Sequence, residues 1–124
     1  MTTELIALDS SCWLEVLGSE PNAPHYERFV AQPQTLLVPI LTVYEVYKYL
    51  RRNRSDAIAQ KTSLYMLQGK VIDISAGLIF AAAANGLPLA DSLIYATARA
   101  HGATLYTQDA HFDGLEAVVF RAKQ

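Results

Sequence analysis

Five short apolar runs, at residues 5–8, 35–39, 70–74, 104–107 and 117–120, recur along this chain with helix-forming stretches between them. This alternation constrains the fold more than any other feature of the sequence. Runs of this length, rich in Leu, Ile and Val and bounded by turn residues, read as buried strands. The segments between them are too long for hairpins, so successive strands are parallel and need helical crossovers. The expected architecture is α/β, with three α/β/α layers around a central parallel sheet of about five strands.

Helix boundaries follow from the punctuation. Residues 12–17 have helical spacing and stop at Gly18, and residues 25–31 form a short amphipathic helix closed by Gln32-Pro33. A longer helix over 41–54 opens with Thr42-Val-Tyr-Glu45, the pattern of a capping box. After a break at 53–55 a second helix runs to Gln68, and Gly69 precedes the third strand. The alanine-rich stretch 75–85 is a tightly packed helix ended by Gly86. Pro88 suits a first helical position and Gly102 a helix end, which puts Asp91 in the first turn of the helix between them.

At 124 residues the chain is read as a single domain, residues 1–124, burying roughly two-thirds of its unfolded surface. The lone Cys12 can form no internal disulfide, which fits a reducing compartment. Residues 1–8 lack the basic and long apolar regions of a signal peptide. The charge-free stretch 74–90 is broken by Asn85-Gly86 and Pro88, so it does not read as a membrane span. These features predict a cytoplasmic protein with no membrane partner. A net charge of −2 argues against a general nucleic-acid binder. Yet Lys48, Arg51, Arg52 and Arg54 place four of the ten basic residues in seven positions, and with four acids committed to cations the remaining charge would be +2.

Four acids stand at the starts of four different elements: Asp9 after the first strand, Glu45 and Asp91 near helix starts, and Asp109 after the fourth strand. Each has an ordinary structural reading, as an N-cap, the return half of a capping box, a helix-dipole partner or an Asx-turn. The set says more than its members, because a parallel sheet carries ligand sites outside the carboxyl ends of its strands, near the reversal of strand order. Carboxylates gathered there repel unless a cation or shared protons neutralise them. A hard cation such as Mg²⁺, which takes carboxylates, waters and substrate phosphates, fills that role.

At this point the motifs resemble a known family. Asp9 after the first strand, the Thr-x-x-Glu45 helix start, Ala-Asp91-x-x-Ile-x-Ala-x-Ala and Thr107-x-Asp109-x-x-Phe112 are similar to the PIN-domain ribonucleases, and most to the VapC-type toxins of toxin–antitoxin pairs. The resemblance spans essentially the whole chain, and the last two motifs are the specific ones. It implies a PIN-like fold and a metal-dependent endoribonuclease. In it Asp9, Glu45, Asp91 and Asp109 would hold Mg²⁺ or Mn²⁺, and a cation-activated water would cleave RNA phosphodiesters. Ser10 and Thr107 stand where the family often has a hydroxyl beside the acids. His111 stands where the family has Asp, Asn or His, and its plain reading is a polar loop residue. The resemblance also implies a homodimer and a cognate antitoxin that blocks the site.

Lys48, Arg51, Arg52 and Arg54 are candidates for RNA binding, with a solvated helix end as the alternative. Tyr44, Tyr47 and Tyr49 could stack on bases, though such spacing more often serves packing or oligomer contacts. Cys12 reads as a buried structural thiol. Two other functions share an acidic Mg²⁺ pocket on a parallel sheet: a phospho-acceptor signalling domain and a catalytically silent binding module. The former needs a lysine after the last strand, and the only one nearby is Lys123 in the tail.

Overall fold

The structure, a computed structural model, describes residues 4–124, so the leader reading of Met1 to Thr3 lies outside the described residues. Five strands form one sheet: β1 (Ile6–Leu8), β2 (Leu36–Pro39), β3 (Lys70–Ile72), β4 (Thr104–Thr107) and β5 (Val118–Phe120). Their order is β3-β2-β1-β4-β5, and every neighbouring pair is parallel. The chain steps outward from β1 through β2 to β3, then returns to the other side of β1. Strand order therefore reverses between β1 and β4, where Leu8 pairs with Tyr106.

Alternation along the strands divides the core into two halves. Ile6 and Leu8 of β1, with Leu36 and Val38 of β2, pack with Cys12 and Trp13 of α1 (Ser10–Leu17) and with Val43, Val46 and Leu50 of α3 (Ile40–Asn53). Ala59 and Met66 of α4 (Asp56–Met66) complete that half, which also holds Tyr26 beside the short helix α2 (Glu27–Val30). The intervening residues Ala7, Leu37 and Leu105 face the other way, onto Ile94 and Ala98 of α6 (Leu89–Ala100). Helix α5 (Ala76–Ala83) lies outside α6, with Ala82 packed against Leu93 and Ala96. The three layers expected from the sequence are present.

Gly69 before β3 answers a close approach. A Cβ there would lie 2.6 Å from Val38 Cγ2 and 2.9 Å from the Pro33 carbonyl oxygen. Gly102, at φ +66°, supplies the left-handed turn after α6.

Most boundaries shift by one or two residues from the sequence reading, and four of the differences bear on the fold. Helix α3 begins at Ile40 with Pro39 as its N-cap, so Thr42 lies inside the helix with its buried Oγ1 unpartnered and no capping box forms. Helix α6 begins at Leu89, with Pro88 just outside it as N-cap. Strand β3 ends at Ile72, because its partner β2 ends at Pro39, opposite Ile72, and leaves nothing for Asp73 to pair with. The segment read as one helix over 25–31 is a single 3₁₀ turn, Ala23–His25, followed by α2.

Candidate metal centre at the strand-order reversal

Asp9 leaves β1 and caps α1, its Oδ1 accepting from the Cys12 N–H at 3.2 Å and from Ser11 Oγ at 2.5 Å. Its Oδ2 accepts from Thr107 Oγ1, at the end of the neighbouring strand β4. Thr107 Oγ1 in turn accepts from the Asp109 N–H at 2.9 Å. One threonine hydroxyl thus joins two acids from different strands. Asp109 closes the turn after β4 by accepting from the His111 N–H at 2.9 Å. The cap and Asx-turn readings of Asp9 and Asp109 are both realised, and both acids also face the site.

Glu45 has moved from cap to site. Because α3 starts at Ile40, Glu45 lies in its second turn, where Oε1 accepts from Ser10 Oγ at 3.0 Å. Asp91 lies in the first turn of α6, as the sequence indicated, and its Oδ2 is 2.9 Å from His111 Nδ1. That nitrogen is also 3.2 Å from Asp109 Oδ1. Ligand atoms of Asp91, Asp109 and His111 all lie within 4.8 Å of one another. His111 is therefore more than a polar loop residue: its ring stands between two carboxylates.

Electrostatics tie the four acids together. Burial pushes the Glu45 carboxyl above its ordinary value; the Ser10 hydrogen bond opposes this, and the charges of Asp91, Asp9 and Asp109 add to the rise. Asp91 is raised by burial and by Asp109, against the hydrogen bond from His111. Burial likewise raises Asp9, against its hydrogen bonds from Ser11, Thr107 and Cys12. The Asp91 hydrogen bond, with the charge of Asp109, raises His111. A cluster in which burial raises three carboxyls and an exposed imidazole bridges two of the acids has the donor chemistry of a hard-cation site. Asp9 is 4% exposed, and the Asp91, Asp109 and His111 side chains are 16%, 37% and 58% exposed, so the site opens on the His111 side.

The basic run lies along the exposed side of α3, next to Glu45. Tyr44, Glu45, Lys48 and Arg52 line one shallow cleft, and Lys48 Nζ stands 5.8 Å from the centre of the Tyr44 ring. Arg51 pairs with Asp56 at 3.3 Å. Tyr47 packs against the core, whereas Tyr44 and Tyr49 are exposed. Cys12 is fully buried, with Sγ 3.3 Å from the Tyr106 carbonyl oxygen, and burial drives its thiol far up, which suits no nucleophile.

The PIN-domain family profile matches residues 6–117. The chain belongs to the PIN-domain family. Solved structures with the same fold include a toxin–antitoxin complex from Klebsiella pneumoniae, at 23% identity and TM-score 0.76, covering 92% of this chain and 95% of that one. VapC20 of Mycobacterium tuberculosis, described as a toxin that cleaves the sarcin–ricin loop, has 18% identity and TM-score 0.73, covering 90% and 95%. The DNA-bound VapBC complex of Salmonella typhimurium has 12% identity and TM-score 0.71, covering 97% and 98%. Among curated proteins no significant match to the sequence was found. At these identities the likeness is one of PIN fold. No helix among the described residues is long and apolar enough to cross a membrane.

Sequence reasoning missed a buried polar network beside this PIN site. Glu15 has no exposed side-chain surface, Asn22 and Gln108 are nearly as buried, and all three are hydrogen-bonded together. Glu15 stands three residues after Cys12, on the apolar face of α1, and an acid there was the available signal.

Proposed function

We propose that this PIN domain is a divalent-cation-dependent endoribonuclease, the toxin of a VapBC-type toxin–antitoxin pair. The observation that carries this is the gathering of Asp91, Asp109 and His111 within 4.8 Å, with Asp9 joined to Asp109 through Thr107 and with the carboxyls of Asp9, Glu45 and Asp91 raised by burial. Mg²⁺ or Mn²⁺ fits the all-oxygen donor set the four acids offer, and His111 lies at the mouth. When bound, such a cation supplies a lowered pKa for a water and a positive charge on the phosphoryl oxygens. The chain's own residues do the rest. Ser10 holds Glu45, Thr107 holds Asp9 and Asp109 in one frame, and no side-chain nucleophile is needed.

The strand of RNA is proposed to lie over Lys48 and Arg52, which share a cleft with Glu45, and to continue over Arg51 in the adjoining cleft, with Arg54 in a separate pocket beyond the end of α3. An antitoxin partner is supported by neighbours of the same fold that are toxin–antitoxin complexes. A homodimer is supported by an exposed apolar patch on α5 and the start of α6, where Ile79, Phe80 and Leu89 are 50%, 74% and 79% exposed. A single domain acting in the cytoplasm fits the compact strand-helix alternation and the free thiol.

The test is cleavage of a panel of cellular RNAs by the purified chain with Mg²⁺ or Mn²⁺, with and without EDTA. Cation-dependent cleavage that EDTA abolishes is expected. Cleavage unaffected by EDTA, or none with any RNA or cation, overturns the proposal.

A further inference from the structure

Gln108 sits between two residues of the carboxylate site, Thr107 and Asp109, yet its side chain turns inward. Its Nε2 donates to the Ser11 carbonyl at 3.3 Å and to Glu15 Oε1 at 3.0 Å, and its Oε1 accepts from Asn22 Nδ2 at 2.6 Å. Both amide protons and the carbonyl are therefore engaged, which fixes the amide plane. The Gln108 N–H donates to Ser11 Oγ at 3.1 Å, and the same hydroxyl donates to Asp9 Oδ1. The turn from Thr107 to Asp109 is thus held from one side by Asp9 and from the other by Glu15.

Glu15 is a buried carboxylate on an otherwise apolar helix face. Its Oε2 accepts from the Asn22 N–H at 2.8 Å, and its cationic partner among the described residues is Lys123 Nζ, 2.8 Å from Oε1. Asn22 Nδ2 also donates to the Ala122 carbonyl at 3.0 Å. The tail after β5 therefore closes the network. A buried ion pair is poor evidence for stability, since apolar residues of like volume often serve as well. Here the bonds of Gln108 tie Glu15 and Asn22 to residues 9–11 and 107–109, the two segments that carry Asp9 and Asp109 across the strand-order reversal. Groups that support metal ligands in this way hold the ligands in their binding geometry.

We infer that Glu15 and Gln108 are positioning residues for the carboxylate site, and that Lys123 latches them from the tail; this rests on the metal-dependent reading of the site. Gln108 touches neither substrate nor cation in this scheme. It acts through the Thr107–Asp109 turn and through Ser11 on Asp9.

The experiment compares wild type, Gln108→Met, Lys123→Ala and Lys123→Arg. Methionine keeps the length of glutamine, and Glu15 retains Lys123 and the Asn22 N–H. Lys123 is 60% exposed, so its variants do not disturb packing. Three quantities are read: Mn²⁺ affinity with the metal alone, from free Mn²⁺ by electron paramagnetic resonance; the Mn²⁺ concentration giving half-maximal RNA cleavage; and thermal unfolding in EDTA. Gln108→Met is expected to weaken Mn²⁺ binding by roughly ten- to a hundredfold, with the half-maximal concentration rising in step. Lys123→Ala should shift both less, in the same direction, and Lys123→Arg should restore them. Variants that melt lower in EDTA but bind Mn²⁺ like wild type overturn the inference and leave the network merely structural. Wild type that binds no Mn²⁺ overturns the metal reading itself and the inference with it, an outcome told apart because wild type alone reveals it.

Discussion

Glu45 shows how one residue's role changes when the N-cap of its helix moves from Thr42 to Pro39. As the return half of a capping box it would tolerate glutamine, which keeps the hydrogen bond; in the second turn of α3, held by Ser10 and facing three other acids, it would not. Glu45→Gln is expected to cut cation-dependent cleavage by roughly a hundredfold or more while the protein stays folded, as measured by initial rates and circular dichroism. Full activity would remove Glu45 from the site. Asp91 and Asp109 allow a complementary test, because clustered carboxylates repel when no cation is present. Asp91→Asn and Asp109→Asn should melt in EDTA at or above the wild-type temperature, since asparagine can still close the turn after β4. Wild type should gain about 1.4 kcal/mol per tenfold rise in Mn²⁺ above its dissociation constant, a gain the variants largely lose. Both variants melting well below wild type in EDTA, with metal shifting all three equally, would make these acids structural. Asp9, Asp91 and Asp109 were legible as candidates because each stands where an element begins, whereas Glu45 was marked by a capping box that the structure does not form. Asn22 and Gln108 were not legible, because their partners lie up to 100 residues away, and Glu15 offered only the local signal of an acid on the apolar face of α1.

Helix α3 presents two unlike faces. Val43, Val46 and Leu50 enter the core, while Lys48 and Arg52 line an exposed cleft that begins at Glu45. If that face carries RNA, replacing Arg51, Arg52 and Arg54 with Gln should weaken binding and flatten its salt dependence, by about 0.7 in the log–log slope for each lost contact to single-stranded RNA. Cleavage at saturating RNA should change less. An unaltered slope returns the run to a solvated helix end. Most elements were readable because glycines and prolines mark their ends, as at Gly18, Gly69 and Gly102. The errors fell where tertiary pairing decides a boundary. Strand β3 stops where β2 runs out of partners, and α3 starts directly at the end of β2, with Pro39 serving both elements.

The whole molecule has a pH signature. Asp9, Glu45 and Asp91 are raised above ordinary values of 3.8, 4.5 and 3.8, and His111 above 6.5, so the folded state holds more protons than the unfolded one over those intervals. Stability of the metal-free protein therefore falls as pH rises through the raised values. Glu15 runs the other way. Burial raises its carboxyl, but the donations from Gln108, Lys123 and Asn22 outweigh this and leave it below 4.5, so its contribution is lost only as pH falls through that lowered value. In EDTA the unfolding temperature should rise as pH is lowered from about 8 to about 5. Saturating Mn²⁺ should flatten or reverse the trend, because cation binding needs ionised carboxylates. A rising trend with pH in EDTA would contradict the cluster. The α5 patch makes a separate prediction: Phe80→Asp should convert a dimer to a monomer in sedimentation while leaving the monomer folded, since the ring is 74% exposed.

Strand order also sets when the acidic cluster can assemble during synthesis. The pairing of β1 with β4 joins residues about a hundred positions apart, with Ile6 opposite Thr104. On a ribosome, Asp9, Glu45 and Asp91 all emerge before the strand that completes the site. Until β4 and the turn after it have been synthesised and have docked beside β1, the first three acids lack their frame, and a chain cut short before that point has no assembled cluster. If the chain is the proposed ribonuclease, it is harmless to the message being translated until nearly all of that message has been read.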